Sequence, residues 1–289
     1  MASTYAGVAG FVVALIALAT PSSASAAETA YRHGDYAKVN GLQLYYETAG
    51  PTHGVPLVLL HGGGSTIDVT FGRILPVLAR SRRVIAIEEQ AHGRSGDRDA
   101  PLTFATSADD VAALLDQLKI ARADLFGFSN GASTGLEVAI RHSGRVRKLV
   151  FASAFTKRAG AQPQLWNFMD RADISNMPPF LKDAFLAVNP DPARLKVMHD
   201  KDAERMRHFV DVPDDELRSI RTPTLVLAGD HDVVLPEHAV ALTHLIPDSR
   251  LTILAGGHGD YFGVAPVTSL SNRAAERTAA LIEDFLDAP

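Results

Sequence analysis

The sequence predicts an α/β architecture: a mostly parallel sheet covered by helices on both faces, with a helical cap inserted near its middle. The first observation behind this is a series of short, nearly all-apolar runs, at 56–60, 83–87, 123–128, 146–152, 224–228 and 250–254. Runs without polar alternation suit strands buried on both faces. The second is that amphipathic helical stretches separate them. The third is an interruption, because no strand-like run occurs between Phe155 and about Arg221. A chain of 289 residues can hold one large α/β domain with such an insertion.

The first elements form a hairpin. Residues 36–39 and 42–48 alternate around Asn40-Gly41, a dipeptide that favours a two-residue turn. Strand 56–60 leads into His61-Gly62-Gly63-Gly64. A helix is expected over 68–80, with Phe71, Leu75 and Leu78 on one face and Pro76 as a blemish. The clearest helix is 105–120, where Val111, Leu114, Leu115 and Leu118 share a face and Thr106 or Ser107 can cap it. Helices are also expected over 132–142, 236–245 and 272–286. The interruption holds the single tryptophan and four of the five methionines. Adaptable, apolar side chains of this kind suit a lid over a site. Trp166, Phe168 and Met169 are its candidate substrate-binding residues.

Bulk composition excludes several functions. A formal charge of −5 gives no electrostatic reason to bind nucleic acid or anionic membrane. The absence of cysteine removes disulfides, thiolate metal sites and a cysteine nucleophile. Met1 to Ala27 carries no charged side chain, Tyr5 to Ala19 is apolar or small, and Ala24-Ser25-Ala26 fits a cleavage site. Residues 1–26 are therefore expected to be a signal peptide, cut near Ala26, that exports the chain to a periplasm or medium without a stable membrane anchor. The apolar core is short for a membrane span, which needs about 20 residues.

The chemistry centres on Gly127-Phe128-Ser129-Asn130-Gly131. A G-x-S-x-G pattern between strand and helix places serine on a sharp turn with its Oγ exposed and a helix N-terminus behind it. The serine then needs a base and an acid. Two later strands end in candidates, Gly229-Asp230-His231-Asp232 and Gly256-Gly257-His258-Gly259-Asp260. Ligands bind at the carboxyl ends of such strands. His258 is assigned as general base and Asp232 as the acid that orients it. Asp230 should still be leaving its strand, and Asp260 reads as a loop hydrogen-bonding group. The backbone N–H groups of Gly63 and Asn130 are the expected oxyanion donors. His61 reads as structural, and His142 and His208 as surface or packing residues. His231, Asp232, His258 and Asp260 lack the helical spacing of a metal motif. Neither a metal nor a cofactor is expected.

Taken in order, H-G-G-G at 61–64, A-H-G-R-S at 91–95, G-F-S-N-G at 127–131, G-D-H-D-V-V-L-P at 229–236 and G-G-H-G at 256–259 make the chain resemble the α/β-hydrolase superfamily, as a serine hydrolase with a helical lid. The resemblance covers about residues 36–286. It implies a core of 27–155 and 220–289 and a lid of 156–219. Related proteins typically carry D-x-R-G where this chain has Glu88-Glu89-Gln90-Ala91, a departure outside the triad. Family members with an aspartate nucleophile, epoxide hydrolases and haloalkane dehalogenases, are disfavoured by Ser129. The expected function is hydrolysis of carboxylic esters or lactones through an acyl-enzyme, on a small apolar ester-like substrate. The same triad serves carbon–carbon bond hydrolases, aminopeptidases and acyltransferases or perhydrolases. A slow-turnover ligand-binding protein is the alternative from another class. Oligomeric state is not legible.

Overall fold

Asn40-Gly41 turns the chain between β1 (His33–Val39) and β2 (Leu42–Ala49), which pair antiparallel. Asn40 has φ 47° and Gly41 φ 78°, the left-handed pair that a two-residue hairpin turn requires. The computed structural model describes residues 32–266 and 273–289. The expected signal peptide at 1–26 lies outside these residues.

Six further strands follow: β3 (Leu57–Leu60), β4 (Val84–Glu88), β5 (Ala123–Phe128), β6 (Val146–Ala152), β7 (Thr224–Gly229) and β8 (Ser249–Leu254). The eight form one sheet in the order β1-β2-β4-β3-β5-β6-β7-β8. Pairing is parallel from β4 through to β8. The four central parallel strands, β4, β3, β5 and β6, are buried nearly throughout, which explains their unbroken apolar runs. Edge strand β8 is only half-buried.

Alternate residues of each strand feed two cores. Leu125 of β5 packs with Val111, Leu114 and Leu115 of α3 (Phe104–Gln117) and Leu136 of α4 (Asn130–Arg141). Phe126 faces the other way, toward Phe71 of α1 (Ile67–Phe71), Leu75 and Leu78 of α2 (Leu75–Leu78), and Ile282 and Leu286 of α10 (Ala274–Asp287). Each buried Leu or Phe contributes roughly 1.5–3 kcal/mol. Together the two faces fix the strand ends that carry the site.

Two local expectations are corrected. The single helix over 68–80 is instead two short ones, because α1 stops at Gly72 and Pro76 sits in the first turn of α2. Proline has no N–H to donate, so it is tolerated there and not further along. The cap of α3 is Thr103, not Thr106 or Ser107. Thr106 N–H donates to Thr103 Oγ1 at 3.0 Å, and Thr103 N–H donates to Thr106 Oγ1 at 3.1 Å. This reciprocal pair satisfies two donors at the helix start.

Between β6 and β7 the chain forms α5 (Pro163–Met169), α6 (Pro179–Val188), α7 (Pro192–Arg207) and α8 (Asp214–Ser219). Met177, Phe185, Leu195 and Met198 pack together there and reach the core at Ala91. The last helix pair of the sheet is α9 (Pro236–Leu245) and α10.

Candidate active site

Four loops leave the carboxyl ends of β3, β5, β7 and β8, and they converge. Ser129 sits between β5 and α4 with φ 54° and ψ −123°. A non-glycine residue held there costs roughly 1–3 kcal/mol. The surroundings enforce it: a Cβ on Gly131 would collide with the backbone of Leu60 and His61, and one on Gly127 with Gly131 and Ala132. Glycine on both sides therefore lets α4 start directly behind the serine.

Ser129 Oγ lies 3.1 Å from His258 Nε2, and His258 Nδ1 lies 2.7 Å from Asp232 Oδ1. The Asp232 carboxylate is buried and accepts from Gly229 N–H at 3.2 Å and Val234 N–H at 3.4 Å. Burial alone would push the Asp232 carboxyl up. The hydrogen bond and charge of His258, with donors from Ser153 and Gly229, outweigh burial and hold it below the usual carboxylate range. His258 Nδ1 donates to this acceptor-only group, which leaves Nε2 as the acceptor facing Ser129.

The other candidate acids are engaged elsewhere. Asp230 accepts from Gly256 N–H at 2.8 Å and ties β7 to the loop after β8. Asp260 accepts from Gly257 N–H at 2.9 Å inside the histidine loop. Among the described residues, no three His, Asp or Glu side chains are grouped as a metal site.

Gly63 lines the cleft beside Ser129, and Asn130 follows the serine directly as the first residue of α4. Among the described residues, neither backbone N–H has a protein acceptor. Two buried histidines hold the glycine loop. His61 Nδ1 donates to Gly62 O at 2.7 Å while Nε2 accepts from Glu89 N–H at 3.1 Å. His92 Nε2 accepts from Gly64 N–H at 3.2 Å and its Nδ1 donates to Gln90 O at 3.0 Å. Burial, then the neighbouring His92, pushes the His61 imidazolium toward its neutral form. Its role is thus to brace the loop.

The cleft beside Ser129 has a volume of about 310 Å³. Its walls include Phe128, Phe180, Leu181 and Val264, with Thr70, His258 and Asp260 as polar groups. This corrects the expectation for Trp166, Phe168 and Met169, which are not among the lining residues. Trp166 packs its ring against Phe155 and Phe209, under the Arg158 guanidinium 3.8 Å away, and donates from Nε1 to Arg158 O at 2.9 Å. Met169 joins that same cluster and Phe168 is exposed. The short helix α5 buries its apolar face on Phe155 and Phe209, away from the cleft. Instead α6 begins at Pro178-Pro179 and delivers Phe180 and Leu181 in its first turn.

Other groups went unnoticed in the sequence. Ser153, just past β6 with φ 51°, donates to Asp232 Oδ2 and shares a 2.8 Å hydrogen bond with the buried Tyr261 hydroxyl. Burial, then the Asp232 charge, raises the Tyr261 phenol far above its ordinary value, so it stays a donor. Nothing local in the sequence marks either residue. The departure at 88–91 also acquires a physical content. Glu88 accepts from Arg94 at its backbone N–H (2.6 Å) and its guanidinium (2.7 Å). Gln90 Nε2 bridges to Asp97 Oδ1 at 2.8 Å, and Ala91 adopts φ 65°, where glycine would be unstrained. Glu89 is fully enclosed and faces Arg205 of α7 at 2.8 Å.

A family model described as the alpha/beta hydrolase fold matches residues 55–213. The chain belongs to this family. Among curated α/β hydrolases it is 26% identical over 254 residues to a putative carbamate hydrolase of Azorhizobium caulinodans, covering 80% of this chain and 93% of that one. It is 28% identical to a 2-hydroxy-6-oxo-2,4-heptadienoate hydrolase of Pseudomonas putida, covering 69% of this chain and 80% of the relative. Among solved structures it resembles the enol-lactonase of Burkholderia xenovorans, with a TM-score of 0.69, 25% identity, and coverage of 88% of this chain and all of that one. The α/β-hydrolase fold of the chain, and its standing as a hydrolase, rest on these matches together with the eight-stranded sheet.

Proposed function

We propose that this α/β-fold hydrolase cleaves small, uncharged carboxylic esters or lactones through an acyl-enzyme on Ser129. The observation that carries the reading is the Ser129–His258–Asp232 chain of contacts, at 3.1 and 2.7 Å, opening on a cleft of about 310 Å³. In the first half-reaction Ser129 Oγ attacks the carbonyl carbon and His258 Nε2 takes its proton. The oxyanion accepts from the N–H groups of Gly63 and Asn130. Collapse breaks the C–O bond, and the leaving alkoxide receives the proton from His258. Water, deprotonated by His258, then attacks the acyl-Ser129 ester, releasing a carboxylic acid and restoring the serine.

Charge narrows the substrate. None of the described residues lining the cleft is Lys or Arg, and Asp260 is among them. A carboxylate-bearing acyl group would meet no counter-charge there. A dienoate, as in the name of the Pseudomonas putida relative, is such an anion, whereas an enol-lactone, as in that of the Burkholderia relative, offers a cyclic ester. The cleft supports the second kind. The volume lies at the small end of ligand pockets, roughly 300–1,000 Å³.

The test is active-site labelling combined with a substrate pair. A fluorophosphonate should label wild-type protein once per chain and fail on Ser129→Ala, with multiple turnovers on p-nitrophenyl butyrate. The corresponding hemisuccinate, of similar length but anionic, should be turned over at least roughly tenfold more slowly, since an uncompensated charge near a partly buried site costs over 1 kcal/mol. Absence of labelling and turnover would sink the hydrolytic reading, and a preference for the anion would redirect it to substrates of the dienoate kind. We also propose export, supported by the uncharged apolar stretch and Ala24-Ser25-Ala26. Amino-terminal sequencing of the protein recovered from the extracytoplasmic fraction should begin at Ala27. A mature cytoplasmic chain that retains residues 1–26 would refute it.

A further inference from the structure

Helix α7 sends two charged side chains under the elbow. Arg205 donates to Glu89 Oε2 at 2.8 Å from one nitrogen and to Asp202 Oδ1 at 2.5 Å from the other. Glu89 also accepts from Thr134 Oγ1 of α4 at 2.7 Å. Asp202 Oδ1 in turn accepts from Asn130 Nδ2 at 3.1 Å. Its second oxygen lies against Gly63: a Cβ on that glycine would fall 2.5 Å from Asp202 Oδ2 and onto the Asn130 amide nitrogen. Asp202 therefore touches both residues proposed as oxyanion donors, and it reaches them from the insertion, not from the sheet.

We propose that Asp202 is a positioning residue that sets the oxyanion donors, Gly63 and Asn130, at their working spacing, so that docking of α7 completes the hole. The role rests on the hydrolase reading given above. Three features support it. Asn130 is the first residue of α4, so its side chain and its N–H move together over a short lever. Gly63 belongs to a loop of three consecutive glycines, which carries little conformational preference of its own. Arg205, with 2% of its side chain exposed, fixes the Asp202 carboxylate from behind and anchors it through Glu89 to the loop after β4. Displacement of Asp202 would leave one nitrogen of the enclosed Arg205 guanidinium without its acceptor, which resists that movement. Oxyanion donors act only on the transition state, so their misplacement is read in kcat and not in substrate affinity.

Asp202→Ala, Asp202→Asn and Asn130→Ala, compared in full-length protein on p-nitrophenyl acetate, test this. D202A should lose roughly 10- to 100-fold in kcat with KM changed less than about threefold, somewhat less than outright deletion of an oxyanion donor. The affinity for phenylboronic acid, which forms a tetrahedral adduct on the serine, should drop by the same factor. D202N keeps a carbonyl acceptor for Asn130 and should recover most of the rate. N130A keeps its backbone N–H but loses the contact, and should match D202A; the double variant should be no worse than either. Should D202A fail to fold, N130A and its boronate affinity carry the test. The role is overturned if N130A or folded D202A retains wild-type kcat and boronate affinity, or if D202N is as impaired as D202A with KM and kcat falling together. A wild type that neither labels with fluorophosphonate nor turns over removes the hydrolase reading and this role with it. A wild type that does both, beside an unimpaired N130A, removes this role alone.

Discussion

On one side of Ser129 the carboxylate of Asp232 faces a histidine; on the other, Glu89 and Asp202 face an arginine. Both set a buried carboxylate against a base within reach of the same elbow. His258 keeps 31% of its side chain exposed and can give up its proton, whereas Arg205 keeps 2% and stays charged at any accessible pH. The first pair can shuttle a proton. The second can only hold position. The partner's proton chemistry, more than geometry, separates them.

Exchanging acid for amide sharpens the contrast most. Asp232→Asn should lower kcat by about 10⁴-fold, because the amide favours the wrong imidazole tautomer. Asp230→Asn and Asp260→Asn should stay within about tenfold of wild type, since the partner of each is a backbone N–H of the loop after β8. Steady-state turnover of the three variants at one pH decides it, and a crippled D230N or D260N beside an active D232N would reassign the acid.

Stability should respond in the opposite sense. Arg205→Ala leaves the buried Glu89 and the partly buried Asp202 without their counter-charge and should cost about 3–5 kcal/mol. D232N should shift the urea midpoint far less. Equal midpoints for R205A and wild type would erase the distinction between the two clusters. Excision of residues 156–219 is subject to the same argument, since it strands Glu89 in the core unless Glu89→Gln accompanies it.

Acid offers a finer test. Burial pushes the Asp232, Glu89 and Asp202 carboxyls up, but His258 in the first case and Arg205 in the others hold all three below the usual range. Each then binds its proton more weakly in the folded chain than in the unfolded one. Their contribution is full above the unfolded value of about 4 and is lost as pH falls through the folded values. Urea midpoints should therefore decline below about pH 4. Asp202→Asn should lower the plateau yet flatten that decline, and an unchanged slope would show that Asp202 does not titrate with folding. The smallest expected effect is at Ala91, held at φ 65°. Ala91→Gly should stabilise by about 0.5–1 kcal/mol, with no change in turnover.

The two clusters also differ in how far the sequence announces them. Ser129, Asp232 and His258 each follow a short apolar strand by a few residues, so local pattern alone places them at one edge of a parallel sheet. The strands themselves are legible for the same reason, while the break between α1 and α2 is not, because a single proline is as compatible with a flaw in one helix as with the first turn of another. Asp202 and Arg205 lie on a helix rich in charge, and such a helix reads as solvated. Only the tertiary pairing with Glu89, 116 residues earlier in the chain, makes Arg205 a buried residue. The same limit applies to Trp166, Phe168 and Met169. Aromatic and sulfur content reports that an insertion has an interior, but which helix faces the cleft depends on packing against Phe155 and Phe209.

The lack of a cationic side chain among the described walls of the cleft bears on how substrate arrives. Without Lys or Arg among its described lining residues, the cleft offers no cationic funnel to draw an anion inward, and a neutral ester feels little field in any case. Encounter is left to unguided diffusion, and the specificity constant for such esters should be nearly indifferent to ionic strength. An enzyme exported as proposed, into surroundings whose salt content it does not control, would then work at a steady pace across dilute and saline media alike.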